Sequence, residues 1–245
     1  MKRFLGLCAM AAWLGWTGAA AAQSMSPDER GRVEQVIHDY LLKHPEVVIE
    51  ALKAAEAQDK QKQEEASRAA ITASRKVLLD DPSDPVGGNP KGDVTLVEFF
   101  DYRCPYCKQV EPWVEAILKD DPKLRIVYKE FPILGKESTF ATHVAFAAVK
   151  QGKYEQFHDA MIATKGSITE DVVLKVAADA GLDIAKVKAD MNAPEIDQII
   201  KRNYDLADKL GINGTPSFVI GDTLILGAVD LAALKQAVAA ARKPD

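Results

Sequence analysis

The sequence predicts an α/β domain preceded by a helical segment. Three observations carry this. A strand-forming run from Val94 to Tyr102 gives way to a helical pattern at Cys104, and a second such run follows at Leu124 to Phe131. From Ser217 the pattern is strand, turn, strand and helix. Strands alternating with helices bury both kinds of apolar face against one another, which defines an α/β domain.

Residues 1–22 read as a signal peptide: Lys2 and Arg3 open it, a short apolar stretch runs from Phe4 to Trp16, and Ala20-Ala21-Ala22 suits cleavage before Gln23. The stretch is too short for a membrane anchor, and bulky Leu7 argues against lipidation of Cys8. A secreted chain with two remaining cysteines follows. A protein held together by disulfides in that setting would carry more of them, whereas a chain of this length buries an adequate core without any.

Residues 23–85 read as an N-terminal helical segment and linker. Ser26-Pro27-Asp28-Glu29 is a helix start, and Val33, Val36, Ile37, Tyr40 and Leu41 recur at helical spacing. Pro45 interrupts, a second helix carries Val48, Leu52 and Ala55, and Gln58 to Glu65 is polar on every side. Ala66, Ala70, Ala73 and Val77 then resume a thin stripe, and Asp80 to Pro90 is dense in turn residues. These stripes are too narrow for a core and too regular for a disordered tail, so pairing between copies is expected. A homo-oligomer, with a trimer favoured, and a flexible shaft at residues 58–65 follow.

Residues 86–245 form the second domain. Its first helix places Val110, Trp113, Val114, Ile117 and Leu118 on one face, with a kink expected at Pro112. The helix acts as a right-handed crossover to the strand at Leu124. From about 137 to 210 the pattern is purely helical, with Ser138 and Thr169 as N-caps and Gly181 and Gly211 as helix ends. Strands at Ser217 to Ile220 and Thr223 to Leu226 flank a Gly221-Asp222 turn, and Asp230 caps a last helix bearing Leu231, Leu234, Val238 and Ala241.

The chemistry centres on Cys104-Pro105-Tyr106-Cys107. A cysteine at a helix start faces unpaired backbone N–H groups and the positive end of the helix dipole, which favour thiolate, and the second cysteine is within reach of a disulfide. A zinc half-site needs two more ligands, and neither Cys8 nor His38, His44, His143 and His158 is spaced to supply them, so no metal is expected. An inert structural disulfide is the other competing reading. The histidines read as surface residues and Trp113 as core. Without Lys2 and Arg3, 29 basic residues stand against 36 acidic ones, which argues against a nucleic-acid partner.

The stretch Glu98-Phe99-Phe100-Asp101-Tyr102-Arg103-Cys104-Pro105-Tyr106-Cys107, the helical region after it and Gly214-Thr215-Pro216 together resemble the DsbA family of periplasmic thiol–disulfide oxidoreductases. Glutaredoxins share Cys-Pro-Tyr-Cys but lack both a signal segment and the 112-residue spacing from Cys104 to Pro216. Residues His38 to Val48 resemble the suppressor-of-copper-sensitivity C branch, in parts of which N-terminal helices oligomerise and isomerase activity accompanies the oligomer. The resemblance implies a thioredoxin fold with an inserted helical domain and an enzyme acting on protein cysteines, served by a membrane redox partner. It implies no cofactor beyond the Cys104–Cys107 disulfide. Cys104 is the expected nucleophile, as the exposed sulfur nearest the helix start, and Cys107 the resolving thiol, with Pro105 and Tyr106 tuning them. Thr215-Pro216 becomes a cis peptide beside the dithiol, leaving a backbone edge for substrate. Glu98 becomes a buried acid near the resolving cysteine, with Lys129 as a candidate partner. The N-terminal extension, and Tyr106 where the family's strong oxidases carry His, argue against a dedicated oxidase. A non-catalytic copper-handling protein using the same thiolates is the alternative.

Overall fold

The computed structural model describes residues 25–242, so the signal-peptide reading and Cys8 lie outside the described residues. The chain divides into two compact units, one up to Gln58 and one from Asp59 onward.

The first unit holds α1 (Pro27–Lys43) and the first part of α2 (Pro45–Leu79). Ser26 caps α1 in a reciprocal box with Glu29, and Pro27 occupies the first helical position, where no N–H is needed. No residue of α1 is buried, and Val36 and Leu42 are 68% and 70% exposed. Residues 58–65, expected as a flexible shaft, are helical within α2. Gln, Lys, Glu and Ala are strong helix formers, so polarity on every side does not end the helix.

The second unit is built on a five-stranded sheet of order β1-β3-β2-β4-β5. Its strands are β1 (Val86–Gly88), β2 (Val94–Phe100), β3 (Leu124–Glu130), β4 (Ser217–Ile220) and β5 (Thr223–Leu226). Only β2 and β3 run parallel, joined over α3 (Pro105–Asp120), which continues through Pro112. The β1 strand lies inside the stretch read as a linker and pairs antiparallel with β3. Its three residues are too few for periodicity to mark.

Side chains alternate across β2. Val94, Leu96 and Phe100 pack with Val110, Val114 and Ile117 of α3. Val97 and Phe99 face the other way, into a cluster with Ile71, Leu78, Leu206 and Leu210. The buried positions at the end of α2 are Ile71, Ser74 and Leu78, whereas Val77 of the expected stripe is exposed. The last turns of α2 are therefore part of this unit's core, upstream of the boundary read at residue 86.

Helices α4 (Lys136–Lys150), α5 (Tyr154–Ile162), α6 (Glu170–Asp179), α7 (Ile184–Asp190) and α8 (Pro194–Leu210) lie between β3 and β4, and α9 (Leu231–Ala241) follows the hairpin. Thr169 and Asp230 cap α6 and α9 through their side chains. Ser138 is not a cap: Gly135 precedes α4, and the Ser138 hydroxyl is buried against Asp101.

Candidate active site

The site is assembled at the end of β2. Asp101 is buried, and its carboxylate accepts from the backbone N–H of Arg103 at 2.7 Å, that of Leu134 at 2.9 Å and the Ser138 hydroxyl at 2.8 Å. These bonds tie the turn after β2 to the loop after β3 and to α4. The Arg103 guanidinium, two residues on, donates to the Leu134 carbonyl and pairs with Glu137 at 2.9 Å.

Cys104 is the N-cap of α3, where Ser, Thr, Asp or Asn usually stands. Its sulfur accepts from the Cys107 N–H at 3.4 Å and its thiol donates to the Thr215 carbonyl at 3.2 Å. Pro105 at the first helical position and Tyr106 after it are exposed. The expectation of an exposed nucleophile is corrected: Cys104 is only 3% accessible and Cys107 only 1%. The loop bearing Thr215 covers the sulfur, a neighbour 111 residues away that no local pattern reveals. Thr215-Pro216 is a cis peptide, and the Pro216 carbonyl accepts from Gly227.

The two thiols are held in opposite protonation states. A hydrogen bond from the Cys107 thiol, with backbone N–H groups of Cys107 and Tyr106, brings Cys104 down to about 6 against the opposing effect of burial. Burial pushes Cys107 far up, and its bond to Cys104 and the charge of Glu98 add to this.

Glu98 is 1% exposed, and one of its carboxylate oxygens has no hydrogen-bond partner. Burial, then the charges of Glu111 and Cys104, hold it well above the usual carboxylate range. Lys129 is not its partner. Glu98 lies opposite Tyr128 in the parallel register, so Lys129 projects from the other face of the sheet. There its ammonium pairs with buried Asp84 and donates to the Val77 carbonyl at 2.7 Å.

The core that holds the dithiol also holds a polar cluster that the sequence reading missed. Glu130 is buried and accepts from the hydroxyls of Tyr102 at 2.9 Å, Tyr154 at 3.0 Å and Thr142 at 2.8 Å. Burial nevertheless raises its carboxyl to about 7. His158, expected at the surface, is 1% exposed and packs against Phe100, Tyr128 and Tyr154. The signal was there in part: Tyr154, Phe157, His158, Met161 and Ile162 share one face of α5 at helical spacing. Glu111, four residues after Cys107, likewise lies on the inward face of α3. Trp113, expected in the core, is partly buried against it.

The arrangement suits thiol exchange: an acidified sulfur at a helix start, a protonated second sulfur within the same turn, and a backbone carbonyl beside them. Comparison with known proteins agrees with the geometry. Residues 29–62 match the N-terminal domain of the copper resistance protein ScsC. A thioredoxin-like oxidoreductase from Silicibacter pomeroyi DSS-3 is 49% identical, covering 70% of this chain and 99% of that one with a TM-score of 0.69. Proteus mirabilis ScsC in a transitional conformation is 26% identical, covering 89% and 99% with a TM-score of 0.67. Among curated relatives, a Na(+)/H(+) antiporter NhaA 3 from Salinispora tropica is 29% identical over 71% of this chain, which spans only 28% of that relative's length. Residues 95–239, more than half of the chain, match the model of the DSBA-like thioredoxin domain, and the protein belongs to that family.

Proposed function

We propose that the protein is a periplasmic thiol–disulfide oxidoreductase that forms, isomerises or reduces disulfide bonds in secreted proteins through Cys104 and Cys107. The observation that carries this reading is the Cys104 sulfur, set at the first turn of α3 between the Cys107 N–H and the Thr215 carbonyl. In the reducing direction the Cys104 thiolate attacks one sulfur of a substrate disulfide. That bond breaks, the other substrate sulfur leaves as thiolate, and a mixed disulfide forms. Cys107 then loses its proton and attacks Cys104, releasing the substrate dithiol and leaving the Cys104–Cys107 disulfide, with two electrons transferred. Oxidation runs the same steps backwards, and a membrane redox partner would reset the dithiol.

Buried Glu98 tunes the dithiol through its coupling to Cys107 and Cys104. The Thr215-Pro216 edge, with exposed Tyr106 nearby, suits an extended peptide. The signal-like first 22 residues support the periplasmic assignment. Isomerisation and a homo-oligomer, with a trimer favoured, are supported by the exposed Val33, Val36, Ile37 and Tyr40 of α1 and by the match of this segment to the ScsC N-terminal domain.

Insulin reduction and refolding of scrambled ribonuclease test this directly. Wild type is expected to be active in at least one assay and Cys104→Ala in neither. The description of the matched domain as part of a copper resistance protein favours a second reading, capture of Cu(I) by the two thiolates. Inactivity in both assays, with one Cu(I) bound per chain, would select it.

A further inference from the structure

We propose that Glu111, His158 and Asp159 form a binding site for a divalent cation of the zinc type, clamping the dithiol helix α3 to α5. One ring nitrogen and one oxygen from each carboxylate lie within 4.8 Å of one another. An ion ligated at about 2.0–2.1 Å brings tetrahedral ligands to roughly 3.3 Å apart. The Nε2 of His158 and an oxygen of Glu111 are already 3.8 Å apart. The remaining closure falls to Asp159, whose side chain is exposed.

His158 points to a ligand independently of the acidic groups. Its Nε2 is buried and has no hydrogen-bond partner. Its Nδ1 sits 3.3 Å from the Tyr102 oxygen, and Tyr102 already donates its proton to Glu130. With Nδ1–H donated to Tyr102, the neutral ring leaves its Nε2 lone pair facing the Glu111 carboxylate. Two acceptors facing each other in a buried place repel unless a positive centre lies between them. A hydrogen bond directly to Glu111 is excluded by the 3.8 Å separation.

The Tyr102–Glu130 relay behind the ring is what metal-binding histidines use to fix their tautomer and orientation. An imidazole with two carboxylates suits a borderline divalent cation, whereas Mg2+ and Ca2+ prefer all-oxygen sets. Asp159 also leaves one side of the site open to solvent for a water ligand.

The test uses the untagged full chain with Cys104 and Cys107 oxidised to the disulfide, so that no thiolate competes for the ion. Titration calorimetry with Zn2+ is expected to show one equivalent bound. Glu111→Gln and Asp159→Asn each remove a ligand and should each weaken binding by about tenfold or more. Asp159→Asn alters an exposed side chain, so its folding is not at risk, and its circular dichroism should match wild type. Zn2+ should raise the thermal midpoint of wild type and not that of Asp159→Asn. No uptake by the oxidised wild type, or uptake that both variants retain unchanged, overturns the proposal.

Discussion

The reactivity of Cys104 rests on a few hydrogen bonds to one sulfur. Since its folded value lies near 6, below the ordinary thiol value of 9.0, the thiolate dominates at neutral pH. The sign follows: stabilisation of the reduced form is fully present above pH 9 and is lost as the pH falls through about 6. Thiolate absorbance of the Cys107→Ser variant should titrate below an ordinary thiol, and a midpoint near the ordinary value of 9.0 would remove the activated nucleophile. Glu130 works in the opposite sense. Its folded value, about 7, is raised from 4.5, so its contribution to stability is present below pH 4.5 and is lost as the pH rises through 7. Urea unfolding of the oxidised protein at several pH values should show this decline, by roughly 3 kcal/mol if the group acts alone. Glu130→Gln should flatten it.

At the scale of elements, Asp101 does for the active-site turn what a strand does for a sheet. It gathers the end of β2, the loop after β3 and the start of α4 on one carboxylate. Asp101→Ala would leave two backbone N–H groups and a hydroxyl without their acceptor, at about 1–3 kcal/mol for each that stays buried. A loss of about 3 kcal/mol in chemical denaturation is expected, together with slower insulin reduction as the Cys104 turn loosens. Glu137→Ala removes only the half-exposed ion pair with Arg103 and should cost less than about 1 kcal/mol. If the two variants lose the same stability, Asp101 is not the organiser of the turn. The register of β2 and β3 decides a second matter at this scale. It sends Glu98 toward α3 and Lys129 toward the end of α2, so that two buried titratable groups one strand apart serve different faces.

At the scale of the whole molecule, the exposed apolar stripe of α1 and early α2 predicts an oligomer whose loss separates activities. A truncation must begin at Asp59 and not beyond residue 80, because Ile71 and Leu78 belong to the core around the sheet. The chain starting at Asp59 is expected to be monomeric in light scattering, to keep insulin reduction and to lose most refolding of scrambled ribonuclease. Full-length protein that scatters as a monomer at tens of micromolar would overturn the oligomer. The α/β class, the order of the strands other than β1 and the Cys104–Cys107 dithiol were legible in the chain. Each rests on local periodicity, turn residues or a fixed short spacing, and these survive in one dimension. Thr215-Pro216 and Glu98 were legible only through the family resemblance. Tertiary structure alone decided that the Thr215 carbonyl meets the Cys104 sulfur, that Lys129 pairs with Asp84, and that His158 and Glu111 face each other. These are meetings of groups dozens of residues apart. Which of them occur depends on which way each residue faces once strands have paired and helices have docked, and that is a property of the packed molecule.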